Sequence, residues 1–259
     1  MHVTAISVPT RAPAGHTNAY LVGETDALLV DPADRTPELD AAVDDRNVAH
    51  LALTHTHPDH VGGVAEYAAE TGATVWCRRG REDLFAERTG ITPDETFGEG
   101  SVVPADDGGL DVLDTPGHAV DHVAFEAPDG AVLGGDLAVA EGSVTVAAPE
   151  GDVRAYLSSL RRLYARNPPV VHPGHGPRID DPRAALARLL ERRLYREDRV
   201  RGAVGDGART LDEVLDAAYD KDLGRARKWA RKTVVAHLEK LDVEGDVRWD
   251  PDAERVLPA

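Results

Sequence analysis

The chain has 259 residues, of which 42% are hydrophobic, and a formal charge of −17. This length allows one large domain, or a medium domain joined to a small one. No apolar run approaches the ~18 residues needed to cross a bilayer, and the start shows no signal-peptide pattern. Cys77 is the single cysteine, which excludes an internal disulfide. Together these features predict a cytoplasmic protein.

The charge is distributed unevenly along the chain. Residues 183–259 contain 17 basic and 16 acidic residues, whereas the first 182 residues contain 12 and 30. We therefore predict two domains, 1–182 and 183–259, with the boundary near Pro182. So acidic a surface, with only four lysines in the chain, suggests solubility at high salt, and a halophilic source is a hypothesis.

The first two-thirds of the chain alternates short apolar runs with turn residues, which predicts strands. In chain order the runs are AYLVG, ALLVDP, HLALTH, TVWC, LDVLDTPGH, HVAFEA, AVLGGD and PVVHPGHG. Helical patterns lie between them at roughly Pro37–Asp44, Gly62–Thr71 and Val153–Arg166. Strands interspersed with helices in this way indicate a layered α/β architecture.

The pattern becomes helical after Pro182. ALARLLERRLYREDRVRGAV repeats leucines at helical spacing, and Thr210 with Glu213 forms a capping box at the predicted start of the next helix. A basic helix follows, and GDVRWD then predicts a β-element. Two helices joined by a short turn and followed by a β-element predict a helix-turn-helix with a wing.

Four polar residues stand out in the stretch LALTHTHPDHVGG. His55, His57, Asp59 and His60 follow an apolar strand and precede two glycines and a helix, so they lie in the loop beyond the strand end. From this loop their side chains can converge from several directions. Imidazole and carboxylate groups are ligands for zinc and other first-row metals. The alternative, solvated loop residues clustered by chance, is much weaker, and we interpret the stretch as a metal-binding motif.

Further ligands follow other predicted strands. DTPGH offers His118, GGD offers Asp136 and HPGHG offers His175, and strand ends at one edge of a sheet are where α/β folds assemble sites. Two histidines of the first motif with His118 would form one three-nitrogen group. Asp59, His60 and His175 would form a second, and Asp136 would bridge both. Two ions sharing a carboxylate and a hydroxide lie ~3.5–4 Å apart.

The motifs HTHPDH, TPGH, GGD and PGHG, in this order, resemble those of the metallo-β-lactamase superfamily. The resemblance covers residues 1 to about 180 and implies a four-layer αββα sandwich with the ligand assignment just given. It also implies that Asp31, in LLVDP, orients the metal loop, because a ligand histidine needs a partner that fixes its tautomer. Zinc is the favoured metal, with manganese or iron as alternatives.

The branch within this superfamily is indicated by other stretches. TNAYLVG, TPGHAVDHVAF, GHGPRIDDP and the tail VVAHLEKLDVEGDVRW resemble the small lactamase-like endoribonucleases, whose C-terminal domain is winged-helix-like. That branch tends to carry His-Arg before an Arg-Glu pair in the linking helix, whereas this chain has Arg192 and Arg193 before Arg196 and Glu197. A substrate contact through that histidine is therefore not implied here.

The implied reaction is attack by a bridging hydroxide, which two divalent ions supply at neutral pH. Asp59 is the predicted catalytic carboxylate, because it can hydrogen-bond the nucleophile and later carry its proton. The leading hypothesis is hydrolysis of phosphodiesters in single-stranded RNA. The main rival is a thioesterase or lactonase of glyoxalase II type, in which the tail shapes the pocket mouth or a homodimer contact. A winged-helix binding module with a vestigial metal domain is a third interpretation, which the complete ligand set argues against.

Other residues are candidates for a place at the site. His122 follows His118 by four residues and is predicted either to bond in the pocket or to pair locally within a strand. His16 is a weaker pocket candidate. A basic run in the tail predicts either a phosphate-binding helix or a solvated face balanced by nearby aspartates. Its members are Arg225, Arg227, Lys228, Arg231 and Lys232.

Overall fold

A computed structural model describes residues 2–12, 14–220 and 223–259, apart from the side chain of Asp107. The strands are β1 (Val3–Pro9), β2 (His16–Val22), β3 (Ala27–Val30), β4 (Val48–Ala52), β5 (Thr74–Arg78), β6 (Glu95–Phe97), β7 (Val102–Val103), β8 (Leu110–Asp114), β9 (Val123–Glu126), β10 (Val132–Gly135), β11 (Val171–Pro173), β12 (Val247–Asp250) and β13 (Arg255–Pro258). The α-helices are α1 (Pro37–Asp44), α2 (Val64–Thr71), α3 (Glu82–Thr89), α4 (Val153–Arg166), α5 (Pro182–Gly205), α6 (Leu211–Ala218) and α7 (Arg227–Glu244).

Eleven of the strands form two stacked sheets. The first has the order β1-β2-β3-β4-β5-β6, antiparallel from β1 to β3 and parallel from β3 to β6. The second has the order β11-β10-β9-β8-β7, and only β10 and β11 run parallel. Parallel strands end at the same edge of their sheet, so the loops that follow β3, β4, β10 and β11 are brought close together.

Alternation along single strands shows how the layers pack. In β3, Ala27 and Leu29 face a core shared with α1, α2 and α3, while Leu28 and Val30 face a core between the two sheets. In β9, Phe125 enters the same inter-sheet core, whereas Ala124 packs against the helices on the far side. Successive side chains of a strand point to opposite faces of its sheet, so both faces of each sheet are buried. This burial confirms the expected αββα layers.

The C-terminal region is helical, as the sequence predicts. Helix α6 begins at the capping box of Thr210 and Glu213, both of whose hydrogen bonds are present. Strands β12 and β13 form a two-stranded antiparallel sheet, and they share a separate core with α6, α7 and the second half of α5. The first half of α5 packs instead on α4, so this helix belongs to both cores. The winged-helix-like arrangement and the division at Pro182 stay predictions.

Within the described ranges, no helix is both long enough and apolar enough to cross a lipid bilayer.

Candidate metal centre

The polar residues singled out in the sequence meet at one edge of the two sheets. Asp31 follows β3 directly, and the His55–His60 loop begins three residues after β4. From the second sheet, Asp136 follows β10 directly, while His118 and His175 lie just beyond β8 and β11. The structure therefore brings all seven predicted ligands together. Their role as ligands remains a proposal.

The first predicted group consists of three imidazole nitrogens. His57 Nδ1 lies 3.1 Å from His55 Nε2 and 2.8 Å from His118 Nε2. Hydrogen bonds behind two of the rings fix their tautomers. His55 Nδ1–H donates to Thr54 Oγ1, and His118 Nδ1–H donates to the carbonyl of Thr145 at 2.7 Å. The Nε2 atoms of both rings therefore keep their lone pairs for a cation.

The second predicted group joins two rings and a carboxylate. One potential ligand atom from each of Asp59, His60 and His175 lies within 4.8 Å of the other two. His60 Nδ1–H donates to Asp31 at 3.0 Å, and His175 Nδ1–H donates to the backbone carbonyl of His16 at 2.9 Å. Each histidine again turns its Nε2 atom toward the shared space, as metal-binding histidines do.

Asp136 lies between the two groups. Its Oδ2 atom is 3.4 Å from His118 Nε2 in the first group and 3.3 Å from His175 Nε2 in the second, and its Oδ1 atom is 3.6 Å from His60 Nε2. Asp136 Oδ1 and His60 Nε2 are buried and form no hydrogen bond with any described residue. Unpartnered polar atoms in a protein interior are costly and indicate that an ion or water belongs there.

The electrostatics of the cluster also fit a cation. Burial lowers the pKa of His118 to about 4, which keeps its ring neutral and able to act as a ligand. Burial opposes the charged form of His60 as well, but the carboxylates of Asp31, Asp136 and Asp59 together outweigh it and raise the pKa of His60 to about 9. For Asp136, burial raises the pKa, yet the hydrogen bond from His175 and the charges of nearby histidines lower it overall. The surroundings therefore favour an ionised carboxylate and positive charge beside it.

Two carboxylates hold the backbone of residues 54–60, which we call the histidine loop. Asp31 accepts hydrogen bonds from the backbone N–H and the hydroxyl of Thr54, both at 2.7 Å. Asp121 accepts the corresponding pair from Thr56, at 2.9 and 2.7 Å. The threonines alternate with His55 and His57, so these bonds fix the loop from both sides. Asp31 takes a positive φ of 51°, a left-handed conformation that aspartate tolerates better than most residues.

His122 and His16 support the cluster from behind. His122 Nε2 accepts the backbone N–H of Asp136 at 3.0 Å, and its Nδ1–H donates to Thr115 at 2.9 Å. Burial lowers the pKa of His122 to about 3, which keeps the ring neutral for this role. His16 contributes its backbone carbonyl to His175, while its side chain has no hydrogen bond among the described residues.

Two glycines make room for these groups. A Cβ at Gly174 would lie 2.4 Å from Asp136 Oδ1 and 2.9 Å from His60 Cε1. At Gly135, where φ is +47°, a Cβ would lie 2.6 Å from the Thr54 hydroxyl. The GGD and PGHG motifs therefore each pair a predicted ligand with a glycine whose missing side chain leaves room for the cluster.

Sequence reasoning missed two acidic residues at the site. Asp121 lies within TPGHAVDH, where it could have been weighed beside His122. Glu150 receives the Nε2–H of His57 at 2.9 Å and pairs with Arg88 at 3.0 Å. No spacing pattern singles out Glu150, because 93 residues separate it from His57 along the chain.

Comparison with known proteins points to one family. The family model described as the metallo-beta-lactamase superfamily matches residues 12–175. A structure of a metallo-beta-lactamase family protein from Thermus thermophilus covers 99% of the chain and 98% of its own, with a TM-score of 0.80 and 24% identity. A second protein, TTHA1623, whose crystal structure is in a di-iron-bound form, is 33% identical over 72% of the chain and 98% of its own, with a TM-score of 0.55.

Relatives from several organisms have been described as hydrolases or by family. The probable metallo-hydrolase YqjP of Bacillus subtilis is 28% identical, over 93% of this chain and 92% of its own. The beta-lactamase-like protein 2 homolog of Drosophila melanogaster is 27% identical, over 92% and 86%. The thioesterase pkgB of Emericella nidulans is 32% identical over 71% of this chain and 53% of its own length.

Proposed function

The chain belongs to the metallo-beta-lactamase superfamily and is a hydrolase, and from this premise we propose that two divalent metal ions bind at the cluster around Asp136. His55, His57 and His118 would hold one ion, and Asp59, His60 and His175 the other. The observation that carries the proposal is the pair of buried, unpartnered atoms, Asp136 Oδ1 and His60 Nε2, between the two groups. Zinc is favoured by these donors, although the di-iron form of TTHA1623 shows that a related protein binds iron.

When bound, the two ions would supply hydroxide at neutral pH and polarise the substrate oxygen. The protein side chains hold this arrangement in place. His55 and His60 are fully buried and excluded from bulk water, whereas Asp59 is about one-quarter exposed, at 23% of its side chain. Of the two carboxylates among the proposed ligands, Asp59 is therefore the one that substrate and water can reach, since the side chain of Asp136 is only 11% exposed. We assign it the role of hydrogen-bonding the nucleophile and carrying its proton away.

Thioester hydrolysis is the substrate chemistry we favour. It is the reaction in the name of the relative pkgB, whose similarity extends over 71% of this chain. The net negative charge of the chain also favours a thioester substrate. An acidic surface repels a polyanion such as RNA but does not repel an uncharged thioester group. We therefore rank thioester hydrolysis above cleavage of single-stranded RNA, whereas the sequence alone favours RNA cleavage.

Cleavage of single-stranded RNA is the second candidate, and one surface favours it. Trp229 on α7 is 57% exposed, and the Lys232 ammonium lies 5.4 Å from its ring centroid. Exposed aromatic rings beside cations are typical of single-strand binding. The rest of the basic run is partly neutralised, because Arg227 pairs with Asp216 at 2.6 Å and Arg231 pairs with Glu254. The cationic surface left for phosphate is small.

One assay panel separates the two candidates. Zinc-loaded protein is incubated with an acyl thioester, a lactone, single-stranded RNA and double-stranded DNA. We expect thioester turnover, which Asp136→Ala abolishes, and intact RNA. RNA cleavage without thioester turnover would contradict the substrate proposal. In that case Lys228→Glu with Lys232→Glu should weaken cleavage, whereas the exposed Arg183→Glu, outside the basic run, serves as the charge control.

A further inference from the structure

The segment between β10 and α4 links the metal cluster to the C-terminal helices. We define the bridging loop as residues 137–151; it contains no helix or strand. Its middle is buried all the same. Val144, Val146 and Ala148 belong to the core that includes Leu186 and Leu189 of α5. An irregular segment buried in this way is held in one conformation by what packs around it.

The bridging loop touches two of the three histidines in the first predicted metal group. The Thr145 carbonyl accepts the Nδ1–H of His118, and the Glu150 carboxylate accepts the Nε2–H of His57. These bonds fix the tautomer and the orientation of both rings. Partners of this kind commonly change metal affinity by ~10–100-fold when they are lost.

Helices α5 and α7 hold the other side of the bridging loop. The Arg188 guanidinium donates to three backbone carbonyls of the bridging loop, at 2.5–3.0 Å. They are the carbonyls of Val139, Ala140 and Gly142. From α7, the carbonyl of Lys232 accepts the N–H of Ala148 at 3.2 Å. The guanidinium fork of arginine is well suited to fixing several carbonyls at once.

Arg193 supports the same loop from a buried position. Its side chain donates to the carbonyl of Val144, adjacent to Thr145, at 2.8 Å, and the residue is only 7% exposed. Its guanidinium lies 5.4 Å from the ring centroid of Tyr156, whose hydroxyl donates to Leu137 at 2.8 Å. Among the described residues no carboxylate forms an ion pair with Arg193. A buried guanidinium bonded to a carbonyl rather than an acid points to a positioning role.

We propose that Arg188 and Arg193 are positioning residues for the first metal group. They hold the bridging loop so that Thr145 and Glu150 fix His118 and His57, and the C-terminal helices thereby become part of the metal-binding unit. This inference rests on the proposed function, because it assumes that those histidines bind a metal.

The test compares metal retention in Arg188→Met and Arg193→Met with the wild type. Each purified zinc-loaded protein is dialysed against a series of chelator concentrations, and the ions remaining per chain are measured. Methionine keeps an unbranched apolar stem but removes the hydrogen bonds. We expect both variants to lose one ion at a chelator concentration roughly tenfold lower than the wild type does. Arg192→Met, at the exposed neighbouring position on α5, should behave like the wild type.

Two outcomes separate positioning from a general structural role. Wild-type metal retention in Arg188→Met and Arg193→Met would overturn the proposal, even if the melting temperature of their metal-free forms falls. If Arg193→Met does not fold, the more exposed Arg188→Met decides the question alone. If the wild type binds only one ion, the proposed two-ion function is wrong. Comparing each variant with the wild type then still tests whether Arg188 and Arg193 position the histidines that hold that ion.

Discussion

At the residue scale, each histidine of the two proposed metal-binding groups has a hydrogen-bond partner on the ring nitrogen that faces away from the cluster. The partners are Thr54 for His55, Glu150 for His57, Asp31 for His60, Thr145 for His118 and His16 for His175. In three of these hydrogen bonds the acceptor is a side chain, and in the other two it is a backbone carbonyl. The ring orientations are therefore set by the fold itself, before any metal binds, which lowers the cost of binding.

Gly174→Ala tests whether the space beside Asp136 matters. The added Cβ would overlap Asp136 Oδ1 and His60 Cε1, so one of these groups must move. We expect metal affinity to fall at least about tenfold and the free energy of unfolding of the metal-free protein to fall by roughly 1–3 kcal/mol. Metal titration and denaturant unfolding measure the two effects.

The control is Gly202→Ala, a glycine-to-alanine change inside α5. A Cβ at Gly202 would meet no atom within 4 Å. Alanine is a better helix former than glycine, so this variant should gain about 0.5–1 kcal/mol of stability with unchanged metal affinity. If Gly174→Ala binds metal as tightly as Gly202→Ala does, the packing at Asp136 is looser than described.

At the scale of elements, periodic and capped segments were predictable from the sequence. Helices α1 and α4 have the predicted bounds, and α6 begins at the predicted capping box. Helix α3 was not predicted, because EDLFAERT buries only Phe85 and so lacks an apolar stripe. Strand β1 was missed for a related reason, since only two of its residues are buried at this edge of the sheet.

The interface of α5 and α7 contains a second group of buried polar side chains. Lys240 donates to Glu197 at 2.9 Å, and His237 Nδ1 lies 3.8 Å from the other Glu197 oxygen. Burial lowers the pKa of His237 to about 4, below its ordinary value of 6.5. The unfolded chain therefore binds one more proton than the folded chain between these values. The contribution of His237 to stability is present above pH 6.5 and is lost as the pH falls toward 4.

His237→Leu removes this titration. Between about pH 6 and about pH 4.5 we expect the slope of unfolding free energy against pH to decrease by up to about 1.4 kcal/mol per pH unit. Denaturant unfolding at a series of pH values measures the slope, and His2→Gln, an exposed position outside this interface, controls for the loss of one imidazole. An unchanged slope in His237→Leu would mean that His237 titrates alike in the folded and unfolded chains.

At the scale of the whole molecule, the charge of −17 opposes compact folding at low salt. Salt screens this repulsion. It also weakens surface ion pairs such as Arg199–Asp220, at 2.6 Å, but exposed pairs contribute only about 0–1 kcal/mol each. We therefore expect the melting temperature to rise from low to molar KCl. A melting temperature that stays level or falls would count against the halophilic hypothesis.

The proposed ligands were far easier to predict than the contacts that hold them. HTHPDH, TPGH, GGD and PGHG place their residues at strand ends, so the topology of parallel strands brings them to one edge. Asp121 and Glu150 follow no such rule, and the hydrogen bonds from Arg188 to the bridging loop span 46 to 49 residues of chain. Backbone carbonyls such as that of Thr145 leave no signal in residue type at all. Contacts of this kind depend on tertiary packing and become visible only in the structure.

The most direct test of the two-ion centre is the metal content of the purified protein. After reconstitution with zinc and removal of loosely bound metal, elemental analysis should give two ions per chain for the wild type and for Asp111→Ala, an exposed aspartate on β8. Asp136→Ala should retain at most one, because the carboxylate between both groups is lost. One ion or none in the wild type, or two ions in Asp136→Ala, would contradict the assignment of Asp136 as the bridge of a dinuclear site.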